Sequence, residues 1–110
     1  MNVSFEEIGR MAVTFGQKGC ESGQVCTGSE GGTVAPCGAG EKFCGIVEGV
    51  RGGFAAVQVA GFATVAVSGS VGVGYVHLCA DGLGGVKDGA GREYLVVSVD
   101  EHAKTAVIQL

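Results

Sequence analysis

The sequence predicts an all-β fold, a small closed or partly open β-barrel or sandwich of about eight or nine short strands, preceded by a short N-terminal helical turn. Three observations carry this. Glycine supplies 22 of the 110 residues and recurs between short runs of Val, Ala, Ile, Phe, Thr and Tyr, the spacing of strands joined by tight reversals. Beyond the first segment almost nothing repeats at helical period, which argues against a βαβ sheet. Bare strand edges invite aggregation, so a chain this rich in strands favours closure.

At the N-terminus, Ser4-Phe5-Glu6-Glu7 has the capping-box pattern, so one or two helical turns are expected over Phe5–Met11. Phe5, Ile8 and Met11 share one face at helical spacing, suited to packing on the body or docking on a neighbour. Residues 1–15 are set apart as this segment, and 16–110 as a single β domain, because a chain of this length has material for one core only.

Ala12–Phe15 begins strand-like, and Gly23–Thr27 follows the polar turn Gln17-Lys18-Gly19. Gly28-Ser29-Glu30-Gly31-Gly32 then turns the chain into Thr33–Cys37 as a hairpin. Pro36, the only proline, marks a strand end or an edge, since it donates no ladder hydrogen bond. After the reversal at Gly38-Ala39-Gly40-Glu41 comes the densest β region, Phe43–Val50, Phe54–Val59 and Phe62–Val67, broken by Arg51-Gly52-Gly53 and by Gly61. Past Ser68-Gly69-Ser70, Tyr75–Ala80 alternates, with Tyr75, His77 and Cys79 on one face and Val76, Leu78 and Ala80 on the other. Val86-Lys87 is a short strand or bridge between turns at Asp81–Gly85 and Asp88–Gly91. Glu93–Asp100 and Thr105–Leu110 close the chain as a hairpin over Glu101-His102-Ala103-Lys104.

Chemistry is sparser than architecture. With a net charge of −4 and seven basic residues scattered singly, no positive stripe exists to neutralise phosphates, so nucleic-acid binding is not expected. Glu6 and Glu7 interrupt the N-terminus, and glycines and Gln58 break the low-charge stretch Gly52–Val76, so neither a signal peptide nor a membrane span is read and a cytosolic origin is expected. Hydrophobic residues make up 46% and charged ones 16%, enough to fill a core with apolar surface left to bury against other copies.

The five cysteines, Cys20, Cys26, Cys37, Cys44 and Cys79, form no C-x-x-C pair, and their odd number argues against a disulfide framework. They read as small buried hydrophobes. Their spacing matches no zinc knuckle, and no metal or other cofactor is expected. Gly38-Ala39-Gly40-Glu41-Lys42 lacks the Ser/Thr of a phosphate loop and opens no helix, so it reads as a turn. His77 and Cys79 face the same way on one strand, the minimum for a nucleophile and base. Their i, i+2 separation of about 6.6 Å is too long for a direct hydrogen bond, so a partly buried, satisfied histidine is expected instead. His102 sits in a polar loop, solvated. Asp81, Asp88, Asp100 and Glu101 fall in turns, where carboxylates cap the nearby backbone. No catalytic residue emerges, and the expectation is a protein that is not an enzyme.

Several segments resemble a known family. Gly23-Gln24-Val25-Cys26, Thr33-Val34-Ala35, Ala39–Val47, Ala56–Val65, the Ala80-Asp81-Gly82 turn and Tyr94–Asp100 are similar in order and character to the small Gly/Ala/Val-rich head decoration, or capsid-stabilising, proteins of phages and prophages. The resemblance runs from about Gly23 onward and consists of soft patterns of small residues. It implies a β-rich fold, no catalysis, and homo-oligomers, often trimers, seated on the major capsid protein of a virion made in a bacterial cytoplasm. Val3, Phe5 and Ile8 of the N-terminal segment and Phe54 and Phe62 around the central turns are the candidate interface residues, although core burial suits each as well. Rival readings are a small β-barrel binding module for a ligand or glycan, for which seven aromatic residues without Trp make a poor lining, another virion component such as a tail protein, and a hydrolase using Cys79 and His77.

Overall fold

A computed structural model describes residues 10–110. All the regular structure among them is β, in ten strands: β1 Met11–Gln17, β2 Val25–Glu30, β3 Thr33–Pro36, β4 Gly45–Arg51, β5 Phe54–Ala60, β6 Phe62–Ala66, β7 Gly74–Ala80, β8 Val86–Asp88, β9 Arg92–Asp100 and β10 Thr105–Gln109. The expected strands are found within a few residues, and the tenth is Val86–Asp88, which pairs with β7 along its whole length. The helix expected over Phe5–Met11 is not found in the described part of that segment. Phe5 and Ile8 lie outside the described residues, and Met11, placed at the helix end, instead opens β1 in extended pairing with Ala60.

β1 to β5 form a closed barrel in the order β1-β3-β2-β4-β5. Antiparallel pairing of β1 with β5, from Met11↔Ala60 to Gly16↔Phe54, shuts it, and β1 meets β3 in parallel through Gly16↔Thr33 and Gln17↔Val34. β6 to β10 form a second sheet in the order β6-β10-β9-β7-β8. Its two edges touch at the parallel bridge Val67↔Val86, where the Ser68 N–H also donates to the Val86 carbonyl at 2.9 Å.

Laid side by side, the two sheets carry one connectivity twice. Each pairs its first strand antiparallel with its fifth, the fifth with the fourth, the fourth with the second and the second with the third, and in each the first runs parallel to the third. A faint sequence echo accompanies this. Phe54-Ala55-Ala56-Val57-Gln58-Val59 of β5 is matched by Thr105-Ala106-Val107-Ile108-Gln109-Leu110, with Ala55 and Ala106, and Val57 and Ile108, buried in their sheets. At the same spacing of 51 residues stand Phe43 and Tyr94, and these two equivalents stack on each other with centroids 4.8 Å apart and planes at 7°.

Two cores result. Cys20, Cys26, Val34, Val47, Ala55 and Val57 fill the barrel, with Phe15 and Val59 at its margin. The larger core joins Val25, Phe43 and Ile46 of the first half to residues of the second, among them Leu78, Val86, Tyr94, Val96 and Ile108. Successive residues of a strand point to opposite faces. In β2, Cys26 therefore looks into the barrel while Val25 looks into the shared core, and Val47 and Ile46 of β4 divide likewise. Strands buried on both sides lose the apolar–polar alternation of a half-exposed strand.

The junction is also polar. Gln58 is the buried polar residue here, and its amide donates to the Ala60 and Phe62 carbonyls at 3.1 and 2.9 Å, spanning Gly61, whose φ of 89° lets β5 reverse into β6. The Tyr94 hydroxyl donates to the Phe43 carbonyl, Ala80 exchanges backbone bonds with Gly40 and Glu41, and the Val25 N–H reaches the Gly84 carbonyl. Among the described residues no buried side-chain nitrogen or oxygen lacks a partner.

Candidate functional site

The candidate contact residues do not form one cluster. Val3, Phe5 and Ile8 lie outside the described residues. Phe54 opens β5 and is 62% exposed, held out by the Arg51-Gly52-Gly53-Phe54 hairpin turn, in which Gly52 adopts a φ of 58°. Phe62 opens β6 and is half-buried. The length of β5, which begins at Phe54, separates them, about 20 Å at the usual strand rise.

Around Phe54 the barrel wall is small and apolar. Thr14 of β1 faces Ala56 of β5, and with Gly49, Val50 and Arg51 of β4 they make a shallow groove with Phe54 on its rim. Val50 is itself exposed, as are Met11 and Val13 farther along β1. In the second half the matching corner, between the end of β6 and the β9–β10 hairpin, holds Val71, Asp100, Glu101 and Lys104, with Val71 buried. The matching corner thus carries charged side chains where the first half has Phe54 and small residues.

Reading the sequence missed other exposed apolar residues. Tyr75 and Leu83 are 73% and 82% exposed, and Val73, two residues before Tyr75, is exposed too. Alternation placed Tyr75 and His77 together on one face but did not say which face met solvent, because both contain apolar residues.

His77 corrects the expectation of a partly buried histidine. Its side chain is 63% exposed, with Nδ1 2.9 Å from the Gly91 carbonyl and Nε2 3.6 Å from Glu93. Cys79 is buried beneath Gly89, so the two side chains are held by different neighbours. His102 is exposed in the β9–β10 turn, as expected.

Of the four carboxylates read as turn caps, Asp81 and Asp100 cap backbone as expected, whereas Asp88 ends β8, paired with Leu78. Asp81 Oδ1 accepts from the Leu83 and Gly85 N–H groups at 2.7 and 3.0 Å, and Oδ2 from the Ser68 hydroxyl at 2.6 Å. Partial burial acts to raise its pKa, but these hydrogen bonds outweigh it and hold the carboxyl below its ordinary value. Asp100 Oδ1 accepts from the His102 and Ala103 N–H groups. No group of three or more His, Cys, Asp or Glu among the described residues is arranged to hold a metal ion.

The cysteines divide, which amends the reading of all five as buried. Cys20, Cys26 and Cys79 are buried, Cys37 is half-buried and Cys44 is exposed. Burial, followed by nearby Glu41, pushes the Cys37 thiol up to about 12. Cys44 moves the other way, down to about 7, because the Cys26 thiol and backbone N–H groups of Cys44 and Gly28 hydrogen-bond its sulfur. Cys26 is raised, first by that same bond and then by burial.

Compared with known proteins, the sequence matches no family model and no curated protein.

Proposed function

We propose that the chain is a non-enzymatic structural protein of a phage or prophage virion, a head decoration protein that binds the major capsid protein as a homo-oligomer, with a trimer as the expected state. The observation that supports this best is the groove beside Phe54. A large aromatic side chain stands exposed over a floor of small residues, Thr14, Gly49 and Ala56, with Val50 beside it. Buried aromatic anchors surrounded by small apolar contacts dominate protein–protein interfaces, and symmetric assembly repeats one such contact at little cost in sequence. The family resemblance supplies the biological setting, and the compact β body suits a role built from many identical contacts.

Absolute mass by light scattering, followed by co-sedimentation with capsids assembled from the major capsid protein, tests the reading. The expected result is a closed oligomer that pellets with capsids, and a Phe54→Arg chain that stays folded but loses oligomer, capsid binding or both. A wild-type monomer that ignores capsids at every concentration overturns it.

A further inference from the structure

One pair of cysteines joins the interior of the barrel to its surface. Cys26 of β2 is fully buried and Cys44, one residue ahead of β4, is exposed. β2 and β4 run antiparallel with Cys26 opposite Gly45, and the Cys44 N–H donates to the Cys26 carbonyl at 2.8 Å. The Cys26 thiol lies 3.7 Å from the carbonyl of Gly45, the residue next to Cys44. Cys26 faces Gly45, and the bond from the Cys44 N–H to the Cys26 carbonyl holds the neighbouring Cys44 backbone against Cys26, within reach of the Cα separations a disulfide spans.

The remaining cysteines lack this arrangement. The Cys20 thiol donates to the Val34 carbonyl at 3.6 Å from inside the barrel, and Cys79 is buried in the other half of the chain. Cys37 is only half-exposed, with its thiol held protonated by burial.

We propose that Cys44 and Cys26 form a thiol–disulfide exchange site that takes a small-molecule disulfide, with Cys44 as the attacking sulfur and Cys26 as the resolving one. The Cys44 thiolate, favoured by the hydrogen bonds already described, attacks one sulfur of the small disulfide. An S–S bond forms between Cys44 and half of the molecule, and the other half leaves as a thiolate that takes a proton from water. Cys26 then attacks the Cys44 sulfur from the barrel side, giving its proton to the second leaving thiolate. The small disulfide gains two electrons and two protons to become two thiols. The protein loses the same to become a Cys26–Cys44 disulfide tying β2 to the start of β4.

The test treats the folded full-length protein with oxidised glutathione at neutral pH, quenches by rapid alkylation and maps the products by mass spectrometry. The expected course is a transient glutathione adduct on Cys44 that gives way to a species two hydrogens lighter, with Cys26 and Cys44 in one linked peptide. Cys44 reacts about tenfold faster than Cys37, following its larger thiolate fraction. Cys26→Ala, checked for an unchanged far-ultraviolet spectrum, retains the adduct on Cys44, and Cys44→Ser forms neither product. A wild-type adduct that persists on Cys44 without an internal disulfide overturns the resolving role of Cys26. First reaction at Cys20, Cys37 or Cys79 overturns the assignment of Cys44.

Discussion

Gly45 leaves no space for even a methyl group. A Cβ there runs into the Gln58 carbonyl and the Val57 Cγ1, both on the neighbouring strand β5. At Gly53, in the β4–β5 turn, a Cβ meets nothing within 4 Å. Gly45→Ala is therefore expected to cost about 1–3 kcal/mol through overpacking, and Gly53→Ala to be neutral or slightly stabilising by restricting the unfolded chain, both read from urea midpoints. Asp81 gives a pH signature. Its folded pKa lies below the ordinary 3.8, so its stabilisation is complete above that value and is lost as pH falls through the lower folded one. The wild-type advantage over Asp81→Asn, about 1 kcal/mol near neutrality for hydrogen bonds at a partly exposed carboxylate, is expected to fade in acid denaturation series below pH 3.8. The capping role of Asp81 and Asp100 was legible because it depends on neighbours in sequence. The low thiol pKa of Cys44 was not, because its partner Cys26 is brought beside it only by the β2–β4 ladder.

The strands themselves were legible, since glycine punctuation and β-branched runs act locally. The β2–β3 and β9–β10 hairpins were legible with them, but the remaining pairings were not. β2 and β4 are buried on both faces, so neither alternation nor composition tells which side of Val25-Cys26 or Ile46-Val47 serves which core. Both halves meet where Phe43, leading into β4, stacks on Tyr94 of β9, with the Tyr94 hydroxyl on the Phe43 carbonyl and the Arg92 guanidinium 5.1 Å from the Tyr94 ring. Burial, only partly offset by Arg92, raises the tyrosine pKa, so the neutral hydroxyl remains the donor across the ordinary pH range. A double-mutant cycle of Phe43→Leu and Tyr94→Leu is expected to show a coupling of about 0.5–1.5 kcal/mol from the ring pair. Tyr94→Phe alone is expected to lose about 1 kcal/mol for the hydrogen bond. A coupling near zero in guanidinium unfolding would remove the stack from the forces joining the halves.

At the scale of the whole molecule the two halves share a topology but not a burden. The first holds a private core inside its closed barrel, whereas the buried apolar residues of the second, Cys79 apart, belong to the core it shares with Val25, Phe43 and Ile46. Separated at Gly61, residues 10–60 are expected to retain β structure by circular dichroism, and residues 61–110 to stay unfolded until the first fragment is added. Equal folding of both fragments alone would contradict this division. The duplication escaped the sequence reading because the echo between Phe54–Val59 and Thr105–Leu110 is six residues, mostly of common apolar types, recognisable once both stretches are seen as the fifth strand of matching sheets. The asymmetry of the cores also bears on synthesis. Chains fold from the N-terminus as they emerge, and here the half that appears first can bury the residues inside its barrel while the other is still in the ribosome. It then offers residues 61–110 a preformed barrel wall, with Val25, Phe43 and Ile46 waiting for them, so the shared core closes only once the second half has been made.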